Sequence, residues 1–379
     1  MTRRILLPAA AALALLWGAG VAVAASPPPP PPPPAVPAPA VAPTPVAPAA
    51  PVAPARGAAP VAPAAPTGGL DAWALPSAKR LSALWPELAG ADLSRDATRG
   101  DLDRAVGILT GVAPASPDPA APASAWTVNL RMVRALGLEP ELRGLARITI
   151  ASGQRLRMPR NAPSELLARE AGLVYNRPAT QDARERSRGE AVRLADVVYA
   201  LDRARMVGSW QRARLARYRS ISLPAMTPQR FAAVQAAFWQ VGQPYIWGGD
   251  WPGVRSPWGA QGHGGFDCSG LVWWAYKGRT AAAQMSLGTG LLGRTADAMA
   301  FERPTERVPV AALAPGDLVF FGAGGPAARK GTIGHTGIAV GNGWMIHSSG
   351  SRAGVALSHL DDYWPSATAF GRRITQLGP

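Results

Sequence analysis

The sequence predicts an α+β fold for its C-terminal part, and three observations support this. Thr227 and Pro228 supply a hydroxyl cap and a first-turn proline, so a helix should start there. A second helix should start at Cys268, because Asp267 can cap it. Three apolar segments bounded by turn residues predict strands of an antiparallel sheet, at residues 318–321, 334–340 and 344–348.

The N-terminal part of the chain predicts export. Arg3 and Arg4 precede an apolar stretch, and Ala22-Val23-Ala24 supplies a small-residue cleavage pattern, so residues 1–25 are expected to be a signal peptide. The alternative is an uncleaved membrane anchor. Residues 26–69 are almost only Pro, Ala and Val, which predicts a disordered, extended linker. We therefore expect an extracytoplasmic protein, secreted or held at the cell wall.

Residues 70–222 are predicted to form a mainly α-helical accessory domain. Ala, Leu and Arg recur at spacings of three and four residues. A weak repeat places Thr98 three residues before Asp101 and Ser187 three residues before Glu190, so each pair should open a helix with a capping box. The pattern resembles S-layer homology repeats, which implies wall binding. The alternative is an accessory helical domain without a ligand. We expect this region to bind a ligand or to position the C-terminal domain rather than do chemistry.

Positive charge sets the expected partners. The formal net charge is +15, but an exported protein meets anionic polymers and lipid head groups before nucleic acid, so we do not expect nucleic acid as a ligand. An exported chain of this charge would meet anionic cell-wall polymers. The alternative is that the arginines serve only solubility. Membrane contact is expected only through an uncleaved signal.

Cys268 is the sole cysteine of the 379 residues. An internal disulfide and a thiolate-rich zinc site are therefore excluded. A single thiol in an exported protein is exposed to oxidation, so it should be either buried and inert or present for its reactivity. Its predicted place in the first turn of a helix favours reactivity, since the helix N-terminus should lower the pKa of the thiol and its amides could hold an oxyanion.

A nucleophilic thiol needs a base, and His335 and His347 lie on consecutive predicted strands. A two-residue turn at Asn342-Gly343 would place His347 opposite Ile338, with the two histidines on opposite faces. An odd-numbered loop centred on Asn342 would place His347 opposite Gly337, with both histidines on one face. The chemistry favours the second register, in which the histidines are diagonal neighbours.

Five sequence blocks occur in order between residues 244 and 348. They are Pro-Tyr-Ile-Trp-Gly-Gly from Pro244, Asp-Cys-Ser-Gly-Leu-Val from Asp267, Leu-Ala-Pro-Gly-Asp-Leu-Val-Phe-Phe from Leu313, His-Thr-Gly-Ile from His335 and Ile-His-Ser from Ile346. Together they resemble the NlpC family of bacterial cell-wall endopeptidases, which are papain-like cysteine enzymes. The resemblance implies the following site residues: nucleophile Cys268, general base His335, orienting residue His347, and substrate-binding residues Tyr245, Asp267 and Ser269.

The resemblance implies a papain-like catalytic domain at residues 223–379, in which a nucleophile helix packs on an antiparallel sheet. It implies a thiol protease that hydrolyses peptidoglycan stem peptides, often at the D-glutamyl to diamino-acid bond. Two alternatives remain: a transferase that forms a thioacyl intermediate on the same scaffold, and a non-catalytic wall-binding scaffold protein. No phosphate loop, metal cluster or dinucleotide motif occurs, so no cofactor is expected. Residues 250–265 depart from the family pattern and are expected to border the cleft.

Overall fold

The computed structural model describes residues 71–112 and 114–377. The predicted signal peptide and linker lie outside those residues. Among the described residues, no helix is long and apolar enough to cross a membrane.

The region predicted to be helical contains seven α-helices. They are α1 (Leu75–Leu81), α2 (Arg99–Thr110), α3 (Ala125–Ala135), α4 (Glu139–Leu145), α5 (Ala162–Glu170), α6 (Leu194–Arg205) and α7 (Ser209–Leu215). Two short strands, β1 (Thr149–Ile150) and β2 (Ser222–Leu223), pair in parallel. The predicted capping box at Thr98 and Asp101 is present at the start of α2. The second predicted start is wrong, because α6 begins at Leu194 and Ser187–Glu190 forms a turn before it.

Three helix starts are joined by a closed ring of backbone hydrogen bonds. The Ala97 N–H donates to Val192 O at 2.8 Å, Val192 N–H donates to Ala123 O at 3.0 Å, and Ala123 N–H donates to Ala97 O at 2.8 Å. These residues precede α2, α6 and α3, respectively. The structural repeat therefore has three members, of which the residue pattern located one, the start of α2 at Thr98. The likeness to wall-binding repeats remains a prediction.

The C-terminal region has the α+β class that the sequence predicts. Its helices are α8 (Pro228–Phe238), α9 (Cys268–Lys277), α10 (Ala281–Gln284) and α11 (Ala296–Phe301). Its short strands are β3 (Asp250–Trp251), β4 (Arg255–Ser256), β5 (Gly259–Ala260) and β6 (Gly265–Phe266). The main sheet contains β7 (Arg307–Val308), β8 (Leu318–Gly322), β9 (Ile333–Gly341), β10 (Trp344–Ser349), β11 (Gly354–His359) and β12 (Thr368–Arg372).

The main sheet is antiparallel throughout, in the order β11-β10-β9-β8-β12-β7. Helix α9 packs against β9 and β10, which brings the start of α9 to the strands that carry the histidines. The start of α8 is as predicted, since the Thr227 hydroxyl accepts the Arg230 N–H.

The β9–β10 hairpin has the register that the chemistry favours, but its turn differs from the expected one. Asn342 and Gly343 both have positive φ, 51° and 76°, as a two-residue type I′ turn requires. A bulge in β9, just before the turn, leaves Val340 without a partner on β10, because Trp344 pairs with Gly341 and Met345 pairs with Ala339. The extra residue shifts the register by one. The predicted odd-numbered loop is therefore wrong, although His347 does face Gly337.

The helical region packs directly on the C-terminal sheet. Buried apolar residues of both regions belong to one continuous core. Helix α5 contacts β11, and Arg169 at its end donates to the carbonyls of Ala353 and, at 3.1 Å, Gly242. The Tyr218 hydroxyl donates to Leu357 O at 2.5 Å. Residues 71–377 thus form one packed body, and the proposed boundary at residue 222 remains a prediction.

A substitution at this contact should weaken both regions together. In the full chain, Arg169→Met removes a guanidinium that is 4% exposed. The Gly242 carbonyl loses the Arg169 donor, and the Ala353 carbonyl keeps only the Tyr245 N–H as a donor. We expect a loss of roughly 2–4 kcal/mol in the free energy of unfolding. Hydrogen exchange read by mass spectrometry should show equal loss of protection in α5 and β11. The matched control is Arg143→Met, an exposed arginine on α4, which should change little. Loss of protection confined to residues 71–222 would contradict this account.

Candidate active site

The start of α9 holds the nucleophile candidate in the position that the sequence predicts. Asp267 is the N-cap, and its Oδ1 accepts the Gly270 N–H at 2.5 Å. Cys268 is 9% exposed, and the backbone N–H groups of Ser269 and Thr336 lie near its sulfur and favour the thiolate. The second of these amides belongs to β9. The sulfur therefore lies beside Thr336, the strand residue that follows His335.

The direction of the thiol pKa is opposite to the one expected from the helix N-terminus. Burial, followed by the negative charge of Asp267, raises the pKa of Cys268 to about 12. The two amide hydrogen bonds and the positive charge of Arg294 lower it, but by less. Desolvation outweighs the helix terminus because the sulfur is almost out of contact with water. At neutral pH the group is therefore the thiol, and thiolate chemistry at this position would require a base.

The two histidines of the β9–β10 hairpin contact each other on one face of the main sheet. His335 Nε2 and His347 Nδ1 are 2.8 Å apart, within one hydrogen bond. His335 is 7% exposed and His347 is fully buried. Gly337 lies opposite His347, and a Cβ there would come within 3.0 Å of the His347 Cβ. The glycine thus leaves room for the imidazole pair.

Burial keeps both imidazoles neutral. It lowers the pKa of His335 from 6.5 to about 3. It also lowers the pKa of His347 well below the usual value, with further contributions from His335 and Arg352. Tyr363 encloses the pair, since its ring lies 4.4 Å from the His347 ring and 5.3 Å from the His335 ring. A neutral His335 retains one unprotonated nitrogen, which is what a general base needs.

The hydrogen bonds continue beyond His347 into the helical region. His347 Nε2 lies 3.0 Å from Ser358 Oγ on β11, and the Ser358 hydroxyl donates to Glu170 Oε1 at 2.6 Å. Glu170 is the last residue of α5 and is 3% exposed. Its other oxygen, Oε2, lies 3.3 Å from Arg214 and 3.1 Å from Arg352. Ser358 and Glu170 were not predicted from the sequence, where neither belongs to a recognisable motif.

The residues predicted to bind substrate lie around the start of α9. Tyr245 is half-buried, and burial together with the nearby Cys268 raises the pKa of its phenol. The Ser269 hydroxyl donates to Asp267 Oδ1 at 3.0 Å. Arg294, which was not predicted, donates to Ser269 Oγ at 2.9 Å and Asp267 Oδ1 at 3.4 Å. One oxygen of Asp267 is therefore occupied by contacts within the chain.

The segment 250–265, singled out as a departure from the family pattern, packs on α9. The Trp251 ring lies 4.3 Å from that of Trp274 and 5.8 Å from that of Trp258, both edge-on. Trp258 remains 51% exposed. The segment thus contacts α9 through indole rings.

The buried imidazoles predict a specific sensitivity to acid. Because the pKa of His335 is lower in the folded chain than in the unfolded chain, its contribution to stability is lost as pH falls from about 6.5 towards 3. Between pH 7 and pH 4.5 the free energy of unfolding of the unaltered chain should fall. In His335→Gln, whose new side chain does not titrate, the fall should be smaller by roughly 2–3 kcal/mol. Urea titrations at both pH values measure this. His359→Gln serves as the matched control. Equal losses in the unaltered chain and His335→Gln would show that His335 is not a buried neutral base.

Comparison with known proteins places this site in a family. Residues 242–373 match the NlpC/P60 family. Murein DD-endopeptidase MepH of Escherichia coli is 36% identical over 136 residues, which cover 36% of this chain and 42% of MepH. A probable endopeptidase of Mycobacterium tuberculosis is 35% identical over 136 residues, covering 36% of this chain and 28% of that protein.

The bifunctional muramidase/DL-endopeptidase CwlT of Bacillus subtilis is 39% identical over 133 residues, which cover 35% of this chain and 32% of CwlT. The chain thus matches less than half the length of each of these relatives. All three matches are confined to about a third of this chain. The C-terminal part of the chain, residues 242–373, is an NlpC/P60 domain.

Proposed function

We propose that the protein is an exported cysteine endopeptidase that hydrolyses stem peptides of peptidoglycan. The observation that carries the proposal is the hydrogen-bonded pair His335–His347 on strands against which the Cys268 helix, α9, packs. The names of the relatives, murein endopeptidase and DL-endopeptidase, support the substrate class. Export rests on the sequence of residues 1–25 alone.

The reaction would proceed through a thioester. His335 Nδ1 takes the thiol proton as Cys268 Sγ forms a bond to the scissile carbonyl carbon. The tetrahedral intermediate collapses, the C–N bond breaks, and the imidazolium of His335 gives its proton to the leaving amine. Water then attacks the thioester, with His335 accepting its proton and returning one to the sulfur. His347 would hold the ring of His335 in place throughout.

The residues around the start of α9 would bind the substrate. Tyr245, neutral at physiological pH, can donate its hydroxyl to an oxyanion or accept from a substrate amine. Asp267 and Ser269 would contribute to binding a free amino end. Because Asp267 Oδ1 accepts from the chain itself, the second carboxylate oxygen would be the acceptor for an ammonium group.

The bond that is cut is a finer proposal. From the resemblance we propose the bond between D-glutamate and the diamino acid. One similar relative is named a DD-endopeptidase and another a DL-endopeptidase, so similarity of this kind does not select one bond. The helical region, with its excess of arginine, is proposed to contact anionic wall polymers.

Incubation of the full mature chain with purified muropeptides, followed by mass spectrometry of the products, tests the proposal. Hydrolysis should give two peptide fragments, one with a new carboxyl end and one with a new amino end, whose masses add up to that of the substrate plus one water. Cys268→Ala should abolish turnover, and His335→Gln should lower kcat by at least about a hundredfold. His359→Gln, a substitution of the same type outside the imidazole pair, should retain activity. Unchanged turnover in Cys268→Ala would rule out covalent thiol catalysis. Products that carry an added amine instead of water would indicate the transferase alternative.

A further inference from the structure

Three hydrogen bonds connect His335, His347, Ser358 and Glu170 in series, and we call this series the relay. The acceptor at its end, Glu170, determines the direction of each bond. A carboxylate can only accept, so Glu170 Oε1 must receive the Ser358 proton. Because the Ser358 hydroxyl proton is used in that bond, Ser358 Oγ must accept a hydrogen bond from the N–H of His347 Nε2. A neutral His347 that is protonated at Nε2 has a bare Nδ1, which accepts.

The same reasoning determines which ring nitrogen of His335 carries the proton. Since His347 Nδ1 accepts, His335 Nε2 must donate across the 2.8 Å contact. A neutral His335 protonated at Nε2 has its lone pair at Nδ1, the nitrogen that would take the proton of Cys268. The opposite direction would place a proton on Nδ1 and leave no base there.

Two arginines pair with the second carboxylate oxygen of Glu170, Oε2. Arg214 belongs to α7 and Arg352 lies between β10 and β11, and both guanidinium groups face Oε2. Their side chains are 6% and 17% exposed, so the charges are screened little by water. Because Oε2 faces the arginines, Oε1 is left for Ser358.

We infer that Glu170, supplied by the helical region, is a positioning residue that sets the tautomer of His335 through Ser358 and His347. This inference deepens the proposed function and rests on it for the role of His335. It also changes the role expected for the helical region. Although 188 residues separate Glu170 from Ser358 in sequence, the helical region completes the active site in addition to any binding of the cell wall.

Glu170→Gln separates this role from simple packing because glutamine has the same shape. The arginines should hold the amide oxygen, so the amide nitrogen would face Ser358 and donate to it. Ser358 would then donate to His347 Nε2, and every bond of the relay would reverse. His335 would carry its proton on Nδ1. Removal of Ser358 by Ser358→Ala would break the relay without reversing it.

The rate at which iodoacetamide alkylates Cys268 at pH 7 measures how well His335 accepts the thiol proton, and the assay needs no peptidoglycan. The sulfur bonds to the methylene carbon, iodide leaves, and the thiol proton passes to His335. In the full chain, Glu170→Gln should slow alkylation by about tenfold or more, by analogy with a base held in the wrong tautomer. Ser358→Ala should slow it only about two- to fivefold, since one neutral hydrogen bond is lost. The double variant should return to the rate of Ser358→Ala.

The matched control is Glu165→Gln. Glu165 lies on α5 and is 2% exposed, but it bonds Asn129 at 2.9 Å and has no link to Ser358. It should leave the alkylation rate unchanged. A rate for Glu170→Gln within twofold of the unaltered chain would overturn the inference, as would additive losses in the double variant.

Peptidoglycan cleavage by the same variants separates the inference from the proposed function. On muropeptides, Glu170→Gln should lower kcat with little change in KM. If the unaltered chain cleaves no muropeptide while alkylation follows the expected order, the relay stands and the substrate assignment fails. If the unaltered chain cleaves muropeptides and Glu170→Gln cleaves them equally well, the relay fails and the proposed function stands.

Discussion

The hydrogen bond between His335 and His347 is buried, and the rest of the site depends on the direction in which it runs. Two neutral imidazoles share a single proton in this contact, and only one of the two arrangements leaves His335 able to act as a base. Water is nearly excluded, so neighbouring groups rather than solvent must select the arrangement. Ser358 and Glu170 are the groups in line to do so.

This dependence gives a physical reason for the close packing of the two regions. Burial of Glu170 is costly unless its charge is compensated, and Arg214 and Arg352 provide that compensation from opposite sides of the contact. Arg169, the preceding residue, fixes the end of α5 to backbone carbonyls of the C-terminal region. The contact therefore positions one carboxylate oxygen with the accuracy that a hydrogen bond demands.

Local sequence predicted the parts of the site that depend on local structure. Cys268 follows a capping residue, and the shared face of the two histidines follows from strand alternation once the register is known. The bulge at Val340 that sets this register has no local signal, so the prediction reached the right register through the wrong turn. Glu170 was beyond prediction because its contact with Ser358 forms only through tertiary packing. The raised pKa of Cys268 likewise depends on burial, which a helix start does not reveal.

The tautomers of the two imidazoles test the central claim most directly. The chain has four histidines, so a nitrogen-15 NMR spectrum of the histidine-labelled full chain at pH 7 can be assigned with His263→Gln and His359→Gln. Both His335 and His347 should be neutral, with the proton on Nε2 and a bare Nδ1. A proton on Nδ1 of His335 would contradict the account, because the nitrogen assigned as the base would already be occupied.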